Sequence, residues 1–461
     1  MKILVFVDHD IIVRHFLHSG VFAELSRHHD VVYVLPEAEN KRITLPDAEL
    51  GIDPRAIRRL RTHRLRLALT QKMLLTNLLV WRPGRQHAAL RTFHRHVAGR
   101  KAALLHSFLA LPGIHSVFKR IYARRLKAAP HLELEALLDA ERPDVVIHPT
   151  VLAGLFINDL VTVCGERGIP LVAIMNSWDN PSTKRAMTGS PDWLLVWGPQ
   201  THQHAVDFLK MPPERVICFG SAQFNVFRNP SRLSRAEFCA RHELSPDRRI
   251  LLYAGSSKGT DEFKHLCMLD DAIENATLPD AAVVYRPHPW GNGGKGGSRI
   301  IDHEWRHVRI EATMKVYLDR VKNEGRAMAT PDYRDTHDLL SCIDALVSPL
   351  STILLEGAMH GKPALCFLPA EDEAEDHYRL ALPMIHFEGL FSNPLFPIAR
   401  GDAELVPSVG GLLVTTGDEA FGAKLQQACE HFVTSFPQGY ERRLREFIET
   451  LSRTRGHRKQ P

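Results

Sequence analysis

Ser351, Thr352 and Glu356 lie between two apolar runs, 344–347 and 364–368, in the compact order strand, polar loop, short helix, strand. Runs that are apolar throughout mark parallel strands covered on both faces. A helix opening at Ser351-Thr352 presents unpaired backbone N–H groups, the positive end of its dipole and two hydroxyls, which suits a diphosphate. Glu356, one turn further on, suits the two hydroxyls of a ribose; a capping serine and a solvent-facing glutamate are the alternative. A second apolar run, 282–285, leads into Arg286-Pro287-His288-Pro289-Trp290 and then the glycine-rich stretch 291–297. Its prolines stiffen the strand exit, Arg286 offers a planar fork of donors, and His288 a donor or acid near neutral pH. The carboxyl end of a strand is where open α/β sheets bind ligands. Ser256, Ser257 and Lys258 follow a third run, 250–254, and suit either a phosphate or a plain helix cap.

The strand ending Arg-Pro-His-Pro (286–289), with Ser-Thr-x-x-x-Glu (351–356) and Gly-Lys-Pro (361–363), resembles the carboxyl-terminal domain of GT-B glycosyltransferases that build bacterial surface polysaccharides. It is also similar to the related CDP-glycerol glycerophosphotransferases and non-hydrolysing UDP-N-acetylglucosamine 2-epimerases. The resemblance implies that Ser351 and Thr352 touch the donor phosphates, that Glu356 binds the ribose, and that Arg286 and His288 face the diphosphate. Position 349, seven before Glu356, is Pro, so the paired-glutamate motif of many retaining relatives is missing and an inverting transfer is implied. The Asp-Tyr-Ser-Ser pattern of the glycerophosphotransferases is replaced by Ser348-Pro349-Leu350-Ser351-Thr352, which points away from that branch.

Transfer to a hydroxyl needs a base for the acceptor proton and positive or dipolar groups for the departing diphosphate. The first half of the chain should supply the base. Asp8-His9-Asp10 closes the apolar run 3–7, with His15 and His18 beyond it. Asp10 is the first candidate and His9 the second, although Asp is also a common helix N-cap. A polar loop, Asn176-Ser177-Trp178-Asp179-Asn180-Pro181-Ser182-Thr183-Lys184, leaves the run 171–175 and is the acceptor-side candidate. There Asp179 would serve as base or orient the acceptor, Trp178 would stack on a sugar, and Lys184 would meet a phosphate. No metal-ligand set appears, and Asp-x-Asp occurs only at Asp8 and Asp10, so the expected transfer is metal-independent.

These residues need two scaffolds. With 461 residues the chain exceeds one ordinary core. Strand-like and helical runs alternate, predicting an α/β protein of two doubly wound Rossmann-like domains facing a cleft, the GT-B arrangement. The boundaries read as 1–220 for an acceptor-side domain, 221–435 for a nucleotide-donor domain, and 436–461 for a carboxyl-terminal helix crossing back to the first. Seven scattered cysteines without a Cys-x-x-Cys pair read as small core hydrophobes in a reducing compartment. The apolar run after Met1-Lys2 is five residues long, a first strand rather than a signal peptide.

One region departs from the rest. Positions 54–132 contain no Asp or Glu but 18 Lys or Arg and seven His, against a net charge of +5 for the whole chain. Cations alternate there with Leu, Trp and Phe, as in Lys72–Trp81 and Phe118–Lys127. This basic helical insertion suits an anionic membrane surface, on the inner face of the cell membrane, where a lipid-linked acceptor would be presented. A basic face pairing with the acidic remainder of the chain is the alternative. No helix-turn-helix, RNA-binding or zinc signature accompanies the charge, which argues against nucleic acid. The expectation is therefore a nucleotide-sugar glycosyltransferase with no cofactor beyond its substrate. A CDP-glycerol or polyol phosphotransferase, and a UDP-sugar 2-epimerase or sugar-binding module, are the rivals.

Overall fold

The computed structural model describes residues 1–461 except 41, 81–83, 151–153, 184–186, 257–259, 290–296, 317–322, 324–329, 370–379, 381 and 459–461. It divides into two compact units, one of Met1–Asn225 with Phe432–Pro461 and one of Val226–His431. The borders thus fall at 225/226 and 431/432, a few residues from the 220/221 and 435/436 read from the sequence.

The first lobe holds seven parallel strands: β1 (Lys2–Phe6), β2 (Asp30–Pro36), β3 (Ile57–Leu60), β4 (Val145–Thr150), β5 (Leu171–Met175), β6 (Trp193–Val196) and β7 (Val216–Cys218), in the order β3-β2-β1-β4-β5-β6-β7. Pleating sends Ile3 and Val5 to one apolar cluster and Leu4 and Phe6 to the other, so β1 must be apolar at every position. The terminal helix Tyr440–Arg458 lays Tyr440, Leu444 and Ile448 into the cluster that holds Ile3 and Val5. Each such buried side chain contributes roughly 1.5–3 kcal/mol.

Two details depart from the sequence reading. The start of the basic stretch is the edge strand β3, not a helix, and its helices begin at Arg64. The stretch after β1, whose pattern reads as a helix to about Arg27, is broken into Asp10–Ile12, a π-helical segment Val13–Leu17 and Ala23–His28, with Gly20 at φ 73° between the last two. Among the described residues, the helices of the insertion after β3 are α1 (Arg64–Val80), α2 (Gly84–Ala98), α3 (Arg100–Leu109) and α4 (Pro112–Lys127). Between α1 and α4, Met73, Tyr122 and Leu126 pack together, backed by Leu69 and Phe118. Buried Arg66 ties α1 to the lobe, donating to Asp159 (2.7 Å) and to the carbonyls of Leu126 and Ala129 (2.8 Å each).

The second lobe has six parallel strands: β8 (Arg249–Ala254), β9 (Ala281–Arg286), β10 (Val308–Ile310), β11 (Ala345–Ser348), β12 (Ala364–Leu368) and β13 (Ile398–Arg400), ordered β10-β9-β8-β11-β12-β13. Leu251, Tyr253, Val283, Tyr285, Val347 and Phe367 build the core on one face. The edge strands β10 and β13 are three residues each, too short to leave a periodic pattern in the sequence.

Candidate functional site

In each sheet the order of connection reverses at one point, between β1 and β4 in the first lobe and between β8 and β11 in the second. Diverging crossovers leave a crevice at the carboxyl ends of those strands. Both places gather buried polar side chains.

In the first lobe these are Asp8 and Asp10 after β1, His148 on β4, and Asn176 and Asn180 after β5, joined by His15 from the π-helical segment. His15 Nδ1 stands 2.6 Å from Asn176 Oδ1; an amide oxygen only accepts, so Nδ1 carries the hydrogen and donates it. Burial, helped by neighbouring Arg14, drives the His15 pKa down to about 3 and keeps the ring neutral. Asp8 accepts from Leu155 N–H at 2.5 Å and lies 3.8 Å from His148 Nε2. His148 stacks on Phe6, with 6.2 Å between ring centres, and among the described residues neither of its ring nitrogens is placed for a well-formed hydrogen bond. Gly154 fits tightly over both, since a Cβ there would stand 2.5 Å from Asp8 Oδ2 and 3.1 Å from His148 Cε1.

The first-lobe residues expected to act meet different fates. Asp10 is 1% exposed, and its carboxylate accepts from Thr44 N–H (2.9 and 3.1 Å) and from Thr44 Oγ (2.5 Å). That commits it to bracing the Thr44 loop. His9 caps the helix start, Nδ1 accepting from Ile11 N–H at 3.1 Å, and burial followed by Arg42 lowers its pKa. Asp179 is half-buried and accepts from Thr183 Oγ at 2.9 Å. Trp178 is not a sugar platform: it is 3% exposed, edge-on to Phe432 at 5.6 Å, a core residue of its lobe. The Ser177 carbonyl accepts from Asn180 N–H at 3.1 Å. Lys184 lies outside the described residues.

In the second lobe Arg286 closes β9, is 6% exposed, and donates from Nη2 to Thr336 Oγ at 2.7 Å. His288 is half-buried two residues on. Gly255 N–H donates to the Arg286 carbonyl at 2.9 Å, carrying β8 beside the arginine. Ser256 N–H donates to Glu262 Oε1 at 2.7 Å and Tyr285 Oη to Glu262 Oε2 at 2.5 Å. Burial raises the Glu262 pKa to about 7 against the opposing pull of those donors. Ser257 and Lys258 lie outside the described residues. At the end of β11, Ser348 Oγ donates to the Ala254 carbonyl at 2.9 Å. Ser351 and Thr352 then open the helix Ile353–Met359 half-buried, and the Thr352 hydroxyl makes no capping bond. Glu356 is buried within that helix. Since β9 and β11 flank β8, the Arg286 and Ser351 exits are about 10 Å apart at ordinary strand spacing.

Sequence reasoning missed Glu262 and His148. The only signals were an acid in the first turn of a helix behind a glycine loop, and a histidine inside an otherwise apolar strand. Among the described residues, no group of three or more His, Cys, Asp or Glu is placed to hold a metal ion.

No family model and no curated protein matches the sequence. Solved structures do match. A UDP-N-acetylglucosamine 2-epimerase from Neisseria meningitidis bound to UDP-GlcNAc is similar at 11% identity and TM-score 0.53, covering 98% of this chain and 100% of its own. A putative 2-epimerase from Listeria monocytogenes gives 11% and 0.52, covering 98% and 96%. The S. aureus MnaA–UDP structure gives 11% and 0.51, covering 97% and 96%. Two parallel α/β lobes matched over nearly the full length by such structures place this chain in the GT-B fold.

Proposed function

We propose that the chain is a nucleotide-sugar glycosyltransferase that acts, by an inverting and metal-independent displacement, on a membrane-associated glycan or lipid-linked acceptor. The observation that carries this reading is the second-lobe edge: buried Arg286 on one side of β8 and the Ser351 and Thr352 hydroxyls on the other. The neighbours bound to UDP and to UDP-GlcNAc support a nucleoside diphosphate there. Arg286, with His288, holds the diphosphate; Ser351 and Thr352 bind its oxygens; Glu356 takes the ribose. Ser256, with Ser257 and Lys258, completes the phosphate side.

The acceptor oxygen attacks the sugar's anomeric carbon while its proton passes to a first-lobe base. The anomeric carbon–oxygen bond breaks, and the nucleoside diphosphate leaves with the electron pair. Asp179 is assigned as that base, because it is half-buried where Asp10 is 1% exposed, and the accepting nitrogen of His9 already holds Ile11 N–H. Asn176 and Ser177 line the acceptor side.

The neighbours named as 2-epimerases favour one other reading, an epimerase working on free UDP-sugar without an acceptor. Calorimetric titration with UDP-, GDP-, CDP- and dTDP-linked donors, followed by mass analysis of products, separates the cases. A UDP-, GDP- or dTDP-sugar is expected to bind, Arg286→Ala to weaken it about 100-fold as a charged partner is lost, and EDTA to leave turnover unchanged. An isomerised sugar without acceptor makes it an epimerase, and a transferred polyol phosphate a phosphotransferase. Unchanged donor affinity in Arg286→Ala sinks the site assignment.

A further inference from the structure

We propose that the hairpin formed by α3 and α4 is a docking element for an anionic phospholipid bilayer, with Leu104, Leu105, Phe108 and Leu111 entering the interface. This specifies where the lobe meets a membrane and stands independently of which reaction the enzyme performs. Among the described residues, twelve large apolar side chains are exposed, and eight of them lie between positions 65 and 121. Leu104 (70% exposed) and Phe108 (55%) stand one turn apart on α3 with Leu105 (54%) beside them, and Leu111 (51%) follows in the connection to α4. On α4, Val117 and Ile121 are four residues apart and exposed as well. The same helices bury other positions, Ala103 and His106 on α3 and His115, Tyr122 and Leu126 on α4. The exposed row is therefore a second apolar face and not an unfilled core.

Charge says what covers it. Arg100, Lys101, Lys119, Arg120, Arg124 and Arg125 are exposed, and no described carboxylate pairs with any of them. The basic stretch does form ion pairs near its start, Arg55 with Asp53, Arg58 with Glu141, Arg59 with Asp47 and Arg66 with Asp159. The acidic remainder of the protein thus neutralises β3 and the beginning of α1, and leaves the hairpin's cations unmatched. A second copy of so cationic a face would repel the first, whereas anionic lipid headgroups match it. Position along the hairpin fits too. The α3 apolar residues lie within six residues of the two-residue connection Ala110-Leu111, about 9 Å along the helix, while the exposed cations start eight or more residues from it, about 12 Å along either helix. Apolar side chains then reach the acyl boundary while the cations remain among headgroups, the disposition of an interfacial helix.

Flotation of the full-length chain with phosphatidylcholine vesicles, with and without 30% phosphatidylglycerol (about a third anionic lipid, as in charged leaflets), tests this. We expect binding at least about 10-fold tighter to the anionic vesicles and weakening with salt. Leu104→Glu/Phe108→Glu should lower it about 10-fold or more, with circular dichroism unchanged because both positions are exposed. Arg120→Gln/Arg124→Gln/Arg125→Gln should weaken it and flatten its salt dependence. Equal affinity for both vesicle types, or unaltered binding by Leu104→Glu/Phe108→Glu, overturns the proposal. A dimer that these same substitutions dissolve, seen by sedimentation without any vesicle binding, overturns it in favour of a second copy. Donor titration of the same variants should be unaffected, which separates this result from failure of the nucleotide reading.

Discussion

Asp8 lies beneath Gly154 at the first sheet's switch point, and Glu262 beneath Gly255 at the second's; in both a glycine Cβ would stand 2.5 Å from a carboxylate oxygen. Each carboxylate also accepts a backbone N–H from the exiting loop, of Leu155 or Ser256. The proton economies of the two edges nevertheless run in opposite directions. The first lobe keeps a base unprotonated, with His15 held to about 3 by burial, whereas the second moves an acid toward its protonated form, with Glu262 lifted to about 7 by burial. Desolvation suppresses whichever form is charged, so burial lowers the pKa of the His15 imidazole and raises that of the Glu262 carboxyl.

Stability should therefore respond to pH with opposite signs. His15 has a folded pKa below its unfolded 6.5, so the unfolded chain takes up the proton first as pH falls, and stability is lost from pH 6.5 down toward 3. The full span is about 5 kcal/mol, of which about 2 kcal/mol falls between pH 6.5 and 5. In urea unfolding followed by circular dichroism, wild type should lose that much relative to His15→Gln; a flat difference would mean the ring is hydrated. Glu262 has a folded pKa above its unfolded 4.5, so its contribution is complete below 4.5 and disappears as pH rises through 7, about 3 kcal/mol in all. Glu262→Gln should abolish that slope.

The glycines come next in size. Gly154→Ala should cost about 2 kcal/mol, because Asp8 is short, bound to Leu155 and backed by the His148 ring; Gly255→Ala should cost about 1 kcal/mol, since Glu262 is longer. Equal losses would mean that Tyr285 and Ser256 hold Glu262 as rigidly as Asp8 is held. The smallest effect is a gain. His148→Leu removes two buried ring nitrogens that make no well-formed hydrogen bond among the described residues and should stabilise the first lobe by about 1 kcal/mol. A loss instead would show that the 3.8 Å attraction to Asp8 outweighs their desolvation.

The sheets were legible because their central strands are covered on both faces and must be apolar at every position, as Ile3–Val7 and Ile250–Ala254 are. Arg286, His288, Ser351 and Thr352 were legible for a related reason, being polar residues immediately after such runs. The edge strand β3 was not, because Ile-Arg-Arg-Leu carries the charge of a basic helix and pairs with β2 alone. Trp178 and Asp10 read as reactive because their types suit sugar stacking and proton transfer. Contacts with Phe432, 254 positions away, and with Thr44, 34 away, assign them to packing and bracing.

Local composition thus carries the architecture: which runs are strands, where they end in polar residues, and where the charge of 54–132 is concentrated. Those properties depend on residue type and short-range periodicity, which a linear chain states directly. Protonation and pairing belong to the folded molecule. Glu262 is an ordinary first-turn glutamate until Tyr285, on a neighbouring strand, and Ser256 close over it. His15 is an ordinary histidine until it is buried against Asn176, 161 residues on, which accepts its N–H. Both shifts arise from desolvation by distant segments, and so exist only once those segments have packed.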